Sequence, residues 1–312
     1  MSELKGKNNP VFLQDFGIEQ KITPTYWNES TQKLQSTKTS GITDYRDMYE
    51  SLVKKTYHGG MNQAYTFGPS PIGDIIDVDF VSAYIMAMAG MRSLNYEKTV
   101  VNQCIKDHLL DVCGFAKVEF KFPEDVNYPC LPVEAGLRGL YYPLSGTSFC
   151  TSAEIAVAHD LGCDMKILQG IIVPWRDDRY IFDNFVLLVR NKRKEHKQAG
   201  NVFYERLWKE IGNSFYGKTA QGLKSKSSFD TRTGGSKGSF YSDVTNPYIA
   251  SYITGFIRAS AAELIAAIPE HRDVYSVTTD GFLTNASMDE IDCSGIMANR
   301  YQSTVDRLNS LS

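Results

Sequence analysis

Two helix-length segments separated by only a few residues constrain this chain more than any other feature. They span 183–199 and 201–218, and the connection between them is QAGN at 198–201. A connection this short favours two antiparallel helices packed side by side. The sequence therefore predicts a helical hairpin in this part of the chain.

The second predicted helix has two chemically different faces. At about 100° per residue, Lys209, Asn213 and Tyr216 fall within about 60° of one another. The apolar residues of the opposite side are Phe203, Leu207, Ile211 and Phe215. This pattern predicts that the apolar side packs into the core and that the other side presents an ammonium, an amide and a phenol.

Positive charge is concentrated in the same part of the chain. The whole chain has a net charge of −3, but 190–237 contains twelve Lys and Arg against four acidic residues. On the first helix of the pair, Arg193 and Lys197 share a face, because they lie four residues apart. Together with Lys209 they could form a cationic pocket for a triphosphate or another polyanion. The alternative is a pair of amphipathic helices with solvated lysines.

Aspartates mark two predicted strands. The strand at 75–81 places Asp77 and Asp79 on one face, and the strand at 274–279 leads directly to Asp280. Carboxylates that converge from adjacent strands need a counter-cation, and oxygen ligands favour Mg²⁺, with Mn²⁺ as a substitute. Two such ions about 4 Å apart would activate a hydroxyl nucleophile and stabilise a departing pyrophosphate. The alternative is two unrelated aspartates at strand ends, which are common in turns.

The remaining periodicities indicate a mixture of helices and strands. We predict helices over most of 83–112, at 152–161 and at about 246–267, strands at 115–122 and 165–173, and a mobile loop at 221–240.

Composition excludes several classes of protein. The 312 residues are 42% hydrophobic and include 16 Phe and 18 Tyr, which argues against disorder. No apolar run approaches the roughly 18 residues of a membrane span, and the N-terminal residues lack a signal-peptide core. The six cysteines include no CxxC pair, so a zinc site is not expected. We therefore expect a cytoplasmic protein with no membrane partner.

Four short segments resemble the motifs of family B DNA polymerases in order and rough spacing. DFVSAY at 79–84 resembles DxxSLYP, and KEIGNSFYG at 209–217 matches KxxxNSxYG at every fixed position. TTD at 278–280 lies where the family has DTD. YHGG at 57–60 matches the YxGG element found before the first motif in the protein-primed branch of phages and linear plasmids. Arg193 and Lys197 also match a basic pair that precedes the second motif.

This resemblance implies an α+β fold with right-hand architecture. It implies a palm, made of an antiparallel sheet flanked by helices, together with helical fingers and an incomplete thumb. The corresponding boundaries are 1–56 for an N-terminal entry segment, 57–182 for palm with room for an insertion, 183–222 for fingers, and 223–312 for palm truncated before the thumb.

The resemblance also implies a role for each motif residue. Asp79 and Asp280 would be the catalytic ligands of two Mg²⁺ ions. The residues implied to bind the incoming nucleotide are Tyr84, beneath the sugar, Arg193, Lys197, Lys209, Asn213 and Tyr216. Those implied to touch the template are Tyr57, Gly59 and Gly60, and we expect Lys224 and Lys226 in the basic loop to bind DNA.

The implied activity is template-directed addition of deoxynucleotides to a primer 3′ end. The implied partners are template and primer DNA, dNTPs and, in the protein-primed branch, a terminal protein. Thr278 replaces the first aspartate of the third motif, no Asp-x-Glu exonuclease motif precedes the first, and roughly thirty residues follow Asp280. A truncated or degenerate fragment that binds DNA without catalysis therefore remains the alternative.

Overall fold

The computed structural model describes residues 9–22, 24–36, 38–69, 73–136, 139–224, 227–232, 234–238 and 241–311. In this part of the chain the helices are α1 Pro10–Asp15, α2 Asp44–Thr56, α3 Ala83–Ala89, α4 Ile105–His108, α5 Ser152–Asp160, α6 Asp183–Gln198, α7 Val202–Thr219, α8 Pro247–Ala266 and α9 Ile296–Ser310. Short 3₁₀ turns occupy Tyr96–Lys98 and Met288–Glu290.

The strands fall into several antiparallel sheets. They are β1 Ile18–Ile22, β2 Tyr26–Asn28, β3 Lys33–Gln35, β4 Lys38–Ile42, β5 Met61–Ala64, β6 Ile76–Asp79, β7 Arg92–Leu94, β8 Val100–Val101, β9 Cys113–Lys121, β10 Val133–Glu134, β11 Leu140–Tyr141, β12 Ser145–Thr151, β13 Asp164–Val173, β14 Trp175–Tyr180, β15 Ser227–Asp230, β16 Gly235–Gly238, β17 Val274–Thr279 and β18 Gly281–Thr284. Antiparallel sheets flanked by helices confirm the predicted α+β class, whereas the predicted domain boundaries stay a prediction.

Two four-stranded sheets form the framework of the molecule. One has the order β12-β9-β13-β8, and the other has the order β5-β17-β18-β6. In the second sheet, Asp79 on β6 is paired with Gly281 on β18, and Thr279 on β17 is paired with Met61 on β5. This register brings the end of β6 and the β17–β18 turn to the same edge of the sheet.

Helix α8 is the central element of the core. Pro247 occupies its first turn, and the Asn246 side chain caps it by accepting hydrogen bonds from the next backbone N–H groups. Most of its residues are buried, and it packs against α2, α3 and α5. By length and composition alone α8 could cross a membrane, contrary to the expectation that no segment comes close. Because 83% of its apolar window is buried inside the protein, α8 has the character of a core helix.

The predicted helical hairpin is confirmed as α6 and α7, which pack against each other. Gly200 has a φ of +67° between them, and Asn201 caps α7 by accepting a hydrogen bond from the backbone N–H of Tyr204. A left-handed residue followed by an Asn cap is the local signal for ending one helix and starting the next. The chain therefore reverses direction where the sequence predicts it.

The predicted core face of α7 is wrong for three of its four residues. Phe203 is 71% exposed, and Leu207 and Ile211 are also exposed, while Phe215 is half-buried against the core. The buried positions of α7 are instead Gly212 and Thr219. A small and a polar residue carry no apolar signal, so the helical wheel could not show that α7 approaches the body of the protein along this line.

Two other predictions of secondary structure are corrected. The segment 83–112 is mostly not helical, because α3 ends at Ala89 and two of the following segments pair as β7 and β8 with strands distant in sequence. The predicted loop at 221–240 contains the antiparallel hairpin of β15 and β16. In both cases backbone pairing with another strand overrides a local composition that does not favour strands.

Candidate functional site

Two carboxylates converge at the edge of the β5-β17-β18-β6 sheet. Asp79 is the last residue of β6, and Asp280 lies in the turn between β17 and β18. The backbone N–H of Phe80 donates a hydrogen bond to the carbonyl of Asp280 at 2.9 Å, which ties the two segments together. Burial raises the pKa of the Asp280 carboxyl, and the nearby charge of Asp79 adds to the increase. The fold therefore brings together the two aspartates that the sequence singled out.

The donor set suits a hard divalent cation. In the described part of the chain, no three His, Cys, Asp or Glu side chains come together as a complete protein cage. Mg²⁺ is usually held by one or two carboxylates, with substrate phosphates and water completing the shell. Asp79 and Asp280 fit that requirement. Asp77 lies on the same exposed face of β6, two residues before Asp79, and its contribution to metal binding stays a prediction.

A stacked tyrosine pair joins the helical hairpin to α3, the helix that follows β6. The rings of Tyr84 on α3 and Tyr216 on α7 lie with centroids 4.4 Å apart and planes 23° apart. Burial raises the pKa of the Tyr84 hydroxyl to about 12, and the charge of Asp280 contributes next, so the phenol lies close to the carboxylate. Burial likewise raises the pKa of Tyr216, and Tyr57 adds to it. The three tyrosines thus form one cluster, in which Tyr84 lies nearest to Asp280.

Cations from the helical hairpin face the same edge. The charge of Lys209, which is exposed, partly offsets the upward shift in the pKa of Asp280, so the ammonium lies within electrostatic reach of the carboxylate. Asn213 is half-buried one turn further along α7. Of the predicted polar face, Lys209 therefore lies near the carboxylates, and Asn213 follows it by about one turn on the same face.

Arg193 and Lys197 lie on the facing helix. Nη1 of Arg193 donates a hydrogen bond to Oγ of Ser82 at 2.9 Å, and its Nη2 is 2.8 Å from the Glu205 carboxylate. The hydrogen bond from Arg193 lowers the pKa of Glu205, and the charge of Lys197 contributes to the same shift. Arg193 thus reaches the segment that leads into Tyr84, while its charge is shared with an acidic residue of α7.

The backbone of the loop at 57–60 is held by a buried arginine that lies outside the sequence motifs. Arg258 of α8 is fully buried, and its Nη1 donates hydrogen bonds of 2.9 Å to the carbonyls of His58 and Gly59. Its Nε donates to Oε1 of Glu154 at 2.8 Å. The signal for this pair was present, because an arginine in an otherwise apolar core helix requires a buried partner.

Lys224 adjoins the same loop. Its Nζ is 3.0 Å from Oε1 of Glu134, and this oxygen is 3.4 Å from Nδ1 of the buried His58. Burial alone would raise the pKa of Glu134, but the hydrogen bond and charge of Lys224 lower it. The structure therefore places Lys224 beside the predicted template loop, ion-paired rather than free. Lys226 lies outside the described residues.

Comparison with known proteins identifies the family to which the chain belongs. The sequence profile of DNA polymerase type B, organellar and viral, matches residues 27–249. The chain is 40% identical over 292 residues to the Primer-independent DNA polymerase PolB of Escherichia coli, a match that covers 91% of this chain and 34% of PolB. The chain thus spans about a third of the length of this relative.

Solved structures of phi29 DNA polymerase share the fold. The ternary complex with primer-template DNA and incoming nucleotide superimposes with a TM-score of 0.56 at 17% identity, covering 77% of this chain and 44% of that one. The post-translocation binary complex gives a TM-score of 0.54 at 18% identity, covering 77% and 43%. With the family profile matching more than half of its length, the chain belongs to the type B DNA polymerases of the organellar and viral family.

Proposed function

We propose that this chain carries the polymerisation site of a family B DNA polymerase, which adds deoxynucleotides to a DNA 3′ end as directed by a template. The observation that carries the proposal is the convergence of Asp79 and Asp280 beside the Tyr84–Tyr216 stack and within reach of Lys209. Carboxylates that can hold metal ions and a cation that can bind phosphate are groups that phosphoryl-type transfer uses, and the tyrosine stack can form a wall of the pocket.

The incoming nucleotide would lie between the helical hairpin and the sheet. Lys209 and Lys197 supply point charges for the triphosphate, and Arg193 supplies a planar fork that can hold two phosphate oxygens. For Arg193 this means exchanging its contact with Glu205 for a contact with phosphate. Asn213 and Tyr216 would line the side of the pocket occupied by the new base pair.

The DNA would cross the surface formed by the loop at 57–60. Tyr57, Gly59, Gly60, Lys224 and Lys226 are the proposed contacts. Support comes from phi29 DNA polymerase, which shares the fold and whose solved complexes contain primer-template DNA. For Lys224 the phosphate backbone would replace Glu134 as its partner, because both are anionic acceptors.

The proposed cofactor is a pair of Mg²⁺ ions, or Mn²⁺ in their place, held by Asp79 and Asp280. Bound there, they would supply charge for activating the primer hydroxyl and for stabilising the pyrophosphate that leaves. The chain's own part is to hold the two carboxylates at one sheet edge, to orient the triphosphate with three cations, and to exclude water with the tyrosine stack. No exonuclease activity is included in the proposal.

The proposed polymerase starts synthesis either from a primer or without one. The E. coli relative is named a primer-independent polymerase, which favours synthesis without a terminal protein. Thr278 favours a second candidate, a DNA-binding polymerase fragment without catalysis, because one carboxylate of the third motif is missing. Assays on primed template and on template alone would separate primer extension from primer-independent synthesis.

The test compares Asp79→Asn and Asp280→Asn with the wild-type chain and with Asp289→Asn, an exposed aspartate outside the site. Loss of a group that hydrogen-bonds to a metal ligand lowers activity roughly 10–100-fold. The two site variants change the ligand itself, so their extension activity should fall by more than this. The affinity of both site variants for DNA should stay close to wild type, and so should the extension activity of Asp289→Asn. Extension at near wild-type rate by either site variant would refute the metal assignment, whereas an inactive wild-type chain that binds DNA would favour the second candidate.

The raised pKa of Asp280 adds a readout that is independent of activity. Because folding disfavours its charged form, the ionised carboxylate costs stability at neutral pH in the absence of metal. Asp280→Asn should therefore melt at a temperature equal to or above that of wild type at pH 7 without divalent ions. The difference should disappear at acidic pH below the ordinary aspartate pKa, where the carboxyl is protonated in both the folded and the unfolded chain.

A further inference from the structure

The turn that presents Asp280 has an unusual backbone. Thr278 pairs with Gly281 across the β17–β18 hairpin, so that Thr279 and Asp280 form its two-residue loop. Thr279 has a φ of +60°. A β-branched residue rarely adopts this left-handed conformation, and where it does, the surrounding structure has to hold it there.

The neighbour of Thr279 is the last glycine of the YHGG element. A methyl group at Gly60 would lie 2.7 Å from Cγ2 and 2.8 Å from Cα of Thr279. Real side chains do not approach one another this closely, so an alanine at this position would displace one of the two segments. At Gly59, one residue earlier, a methyl group would meet nothing within 4 Å.

The loop at 57–60 has little freedom to move away from the turn. Arg258 holds the carbonyls of His58 and Gly59 at 2.9 Å on one side of Gly60. On the other side, Met61 is fully buried and paired in the sheet with Thr279 itself. An added methyl group at Gly60 would therefore push mainly on Thr279, and the residue next to Thr279 is Asp280.

We propose that Gly60 and Thr279 form a positioning contact that sets the place of the Asp280 carboxylate. Gly60 would then be required for the geometry of the metal site, in addition to any contact with the template. Thr279 is a positioning residue in this scheme, because it acts through Asp280. The inference rests on the proposed function, since it concerns the same metal site.

The experiment compares Gly60→Ala with Gly59→Ala in the full chain, with Mn²⁺ as the probe. The affinity for Mn²⁺ is measured from the electron paramagnetic resonance signal of the free ion, and the affinity for a primed template is measured without metal. We expect Gly60→Ala to weaken Mn²⁺ binding about 10–100-fold, as disturbed support of a metal ligand does. Gly59→Ala should bind Mn²⁺ as wild type does, whatever its effect on template binding.

A second variant covers the case in which Gly60→Ala folds poorly. In Gly60→Ala/Thr279→Gly the threonine side chain is absent and glycine adopts positive φ without strain, so of the three close atoms only Cα of residue 279 still opposes the new methyl group. Mn²⁺ affinity should recover in part in this double variant. Equal affinities for Gly60→Ala and Gly59→Ala, or failure of the double variant to recover, would overturn the positioning contact.

Asp280→Asn distinguishes this failure from failure of the proposed function. If Asp280→Asn abolishes Mn²⁺ binding while Gly60→Ala does not weaken it, only the positioning contact is wrong. If Asp280→Asn binds Mn²⁺ like wild type, then the metal assignment is wrong and the positioning contact is overturned with it.

Discussion

Tyr84 shows how much one side chain of the site depends on its neighbours. Its ring is fixed by the stack with Tyr216, and its hydroxyl lies near Asp280. A planar ring held on one side by another ring cannot swing away from a bulky ligand. In the proposed function, this ring lies beneath the incoming sugar and leaves no room for a 2′-hydroxyl.

Replacement of Tyr84 by valine should therefore admit ribonucleotides. In the wild type, the ring would clash with a ribose 2′-hydroxyl, and a closely packed pocket cannot relieve the clash. Removing the ring removes this clash and therefore the discrimination against ribonucleotides. The quantity to measure is the ratio of rNTP to dNTP incorporation, which should rise at least tenfold, while Tyr84→Phe, which keeps the ring, should resemble wild type.

The competing explanation is that Tyr84 is simply a core aromatic residue. The valine variant would then leave a cavity that costs a few kcal/mol of stability. Such damage lowers both activities together and cannot favour the larger sugar. An unchanged ratio in Tyr84→Val would reject the role of Tyr84 in sugar selection.

At the scale of elements, the contact between α7 and α3 depends on one glycine. A methyl group at Gly212 would lie 2.6 Å from Cδ1 of Ile85 and 3.3 Å from Cγ1 of Val189. Ile85 is fully buried in the core. Because Tyr84 precedes Ile85 and Tyr216 is one turn beyond Gly212, this close approach also brings the two tyrosine rings together.

Gly212→Ala should destabilise the protein although alanine is the better helix former. The gain in helix propensity is about 1 kcal/mol, and overpacking of a filled core costs about 1–3 kcal/mol. We expect a net loss of about 1 kcal/mol in the free energy of unfolding, measured in urea. Gly217→Ala is the matched control in the same helix, since a methyl group there meets nothing within 4 Å, and it should be neutral or stabilising.

The double variant Gly212→Ala/Ile85→Val tests the cause. Valine lacks the Cδ1 atom that the new methyl group would strike, so the double variant should lose less stability than the sum of the two single changes. If Gly212→Ala stabilised the protein to the same extent as Gly217→Ala, close packing of α7 on α3 would not be a determinant of stability.

At the scale of the whole molecule, the buried Arg258–Glu154 pair connects three separate parts of the chain. Arg258 comes from α8, Glu154 from α5, and the guanidinium also holds the loop at 57–60. Both side chains are completely buried. Glu154 additionally accepts hydrogen bonds from Thr151 as part of the α5 capping box. Removal of one partner would leave an uncompensated charge in the core.

Arg258→Met should therefore reduce the free energy of unfolding by about 3–5 kcal/mol. Glu154→Gln should also be strongly destabilising, because the charge of Arg258 would be left without a buried partner. Glutamine still has an oxygen that can accept the capping hydrogen bonds, so this variant isolates the loss of charge. The double variant Arg258→Met/Glu154→Gln should lose less than the sum of the two. The exposed pair Lys192–Glu195 is the control, and its removal should leave the free energy of unfolding in urea unchanged within error. Additive losses in the buried pair would show that the two charges do not depend on each other.

The sequence by itself determined the local elements and the identity of the motif residues. The helical hairpin, α8 and strands β9, β13 and β17 agree with their predicted positions, because each has a periodicity or a cap that lies within a few consecutive residues. The motif residues were recognisable for the same reason. Their spacing within each short segment reflects one turn of helix or one strand, which is local information.

Which faces meet, and which side chains support the site, depends on contacts between residues far apart in the chain. The line along which α7 packs depends on Gly212, and the Thr279 turn depends on Gly60, more than 200 residues away. Arg258 is 104 residues from Glu154, and Lys224 is 90 residues from Glu134. Such pairs leave no periodic trace, because contact between distant residues depends on how whole elements pack. The sequence alone therefore determines the chemistry of this site, while tertiary packing determines the geometry that makes the chemistry available.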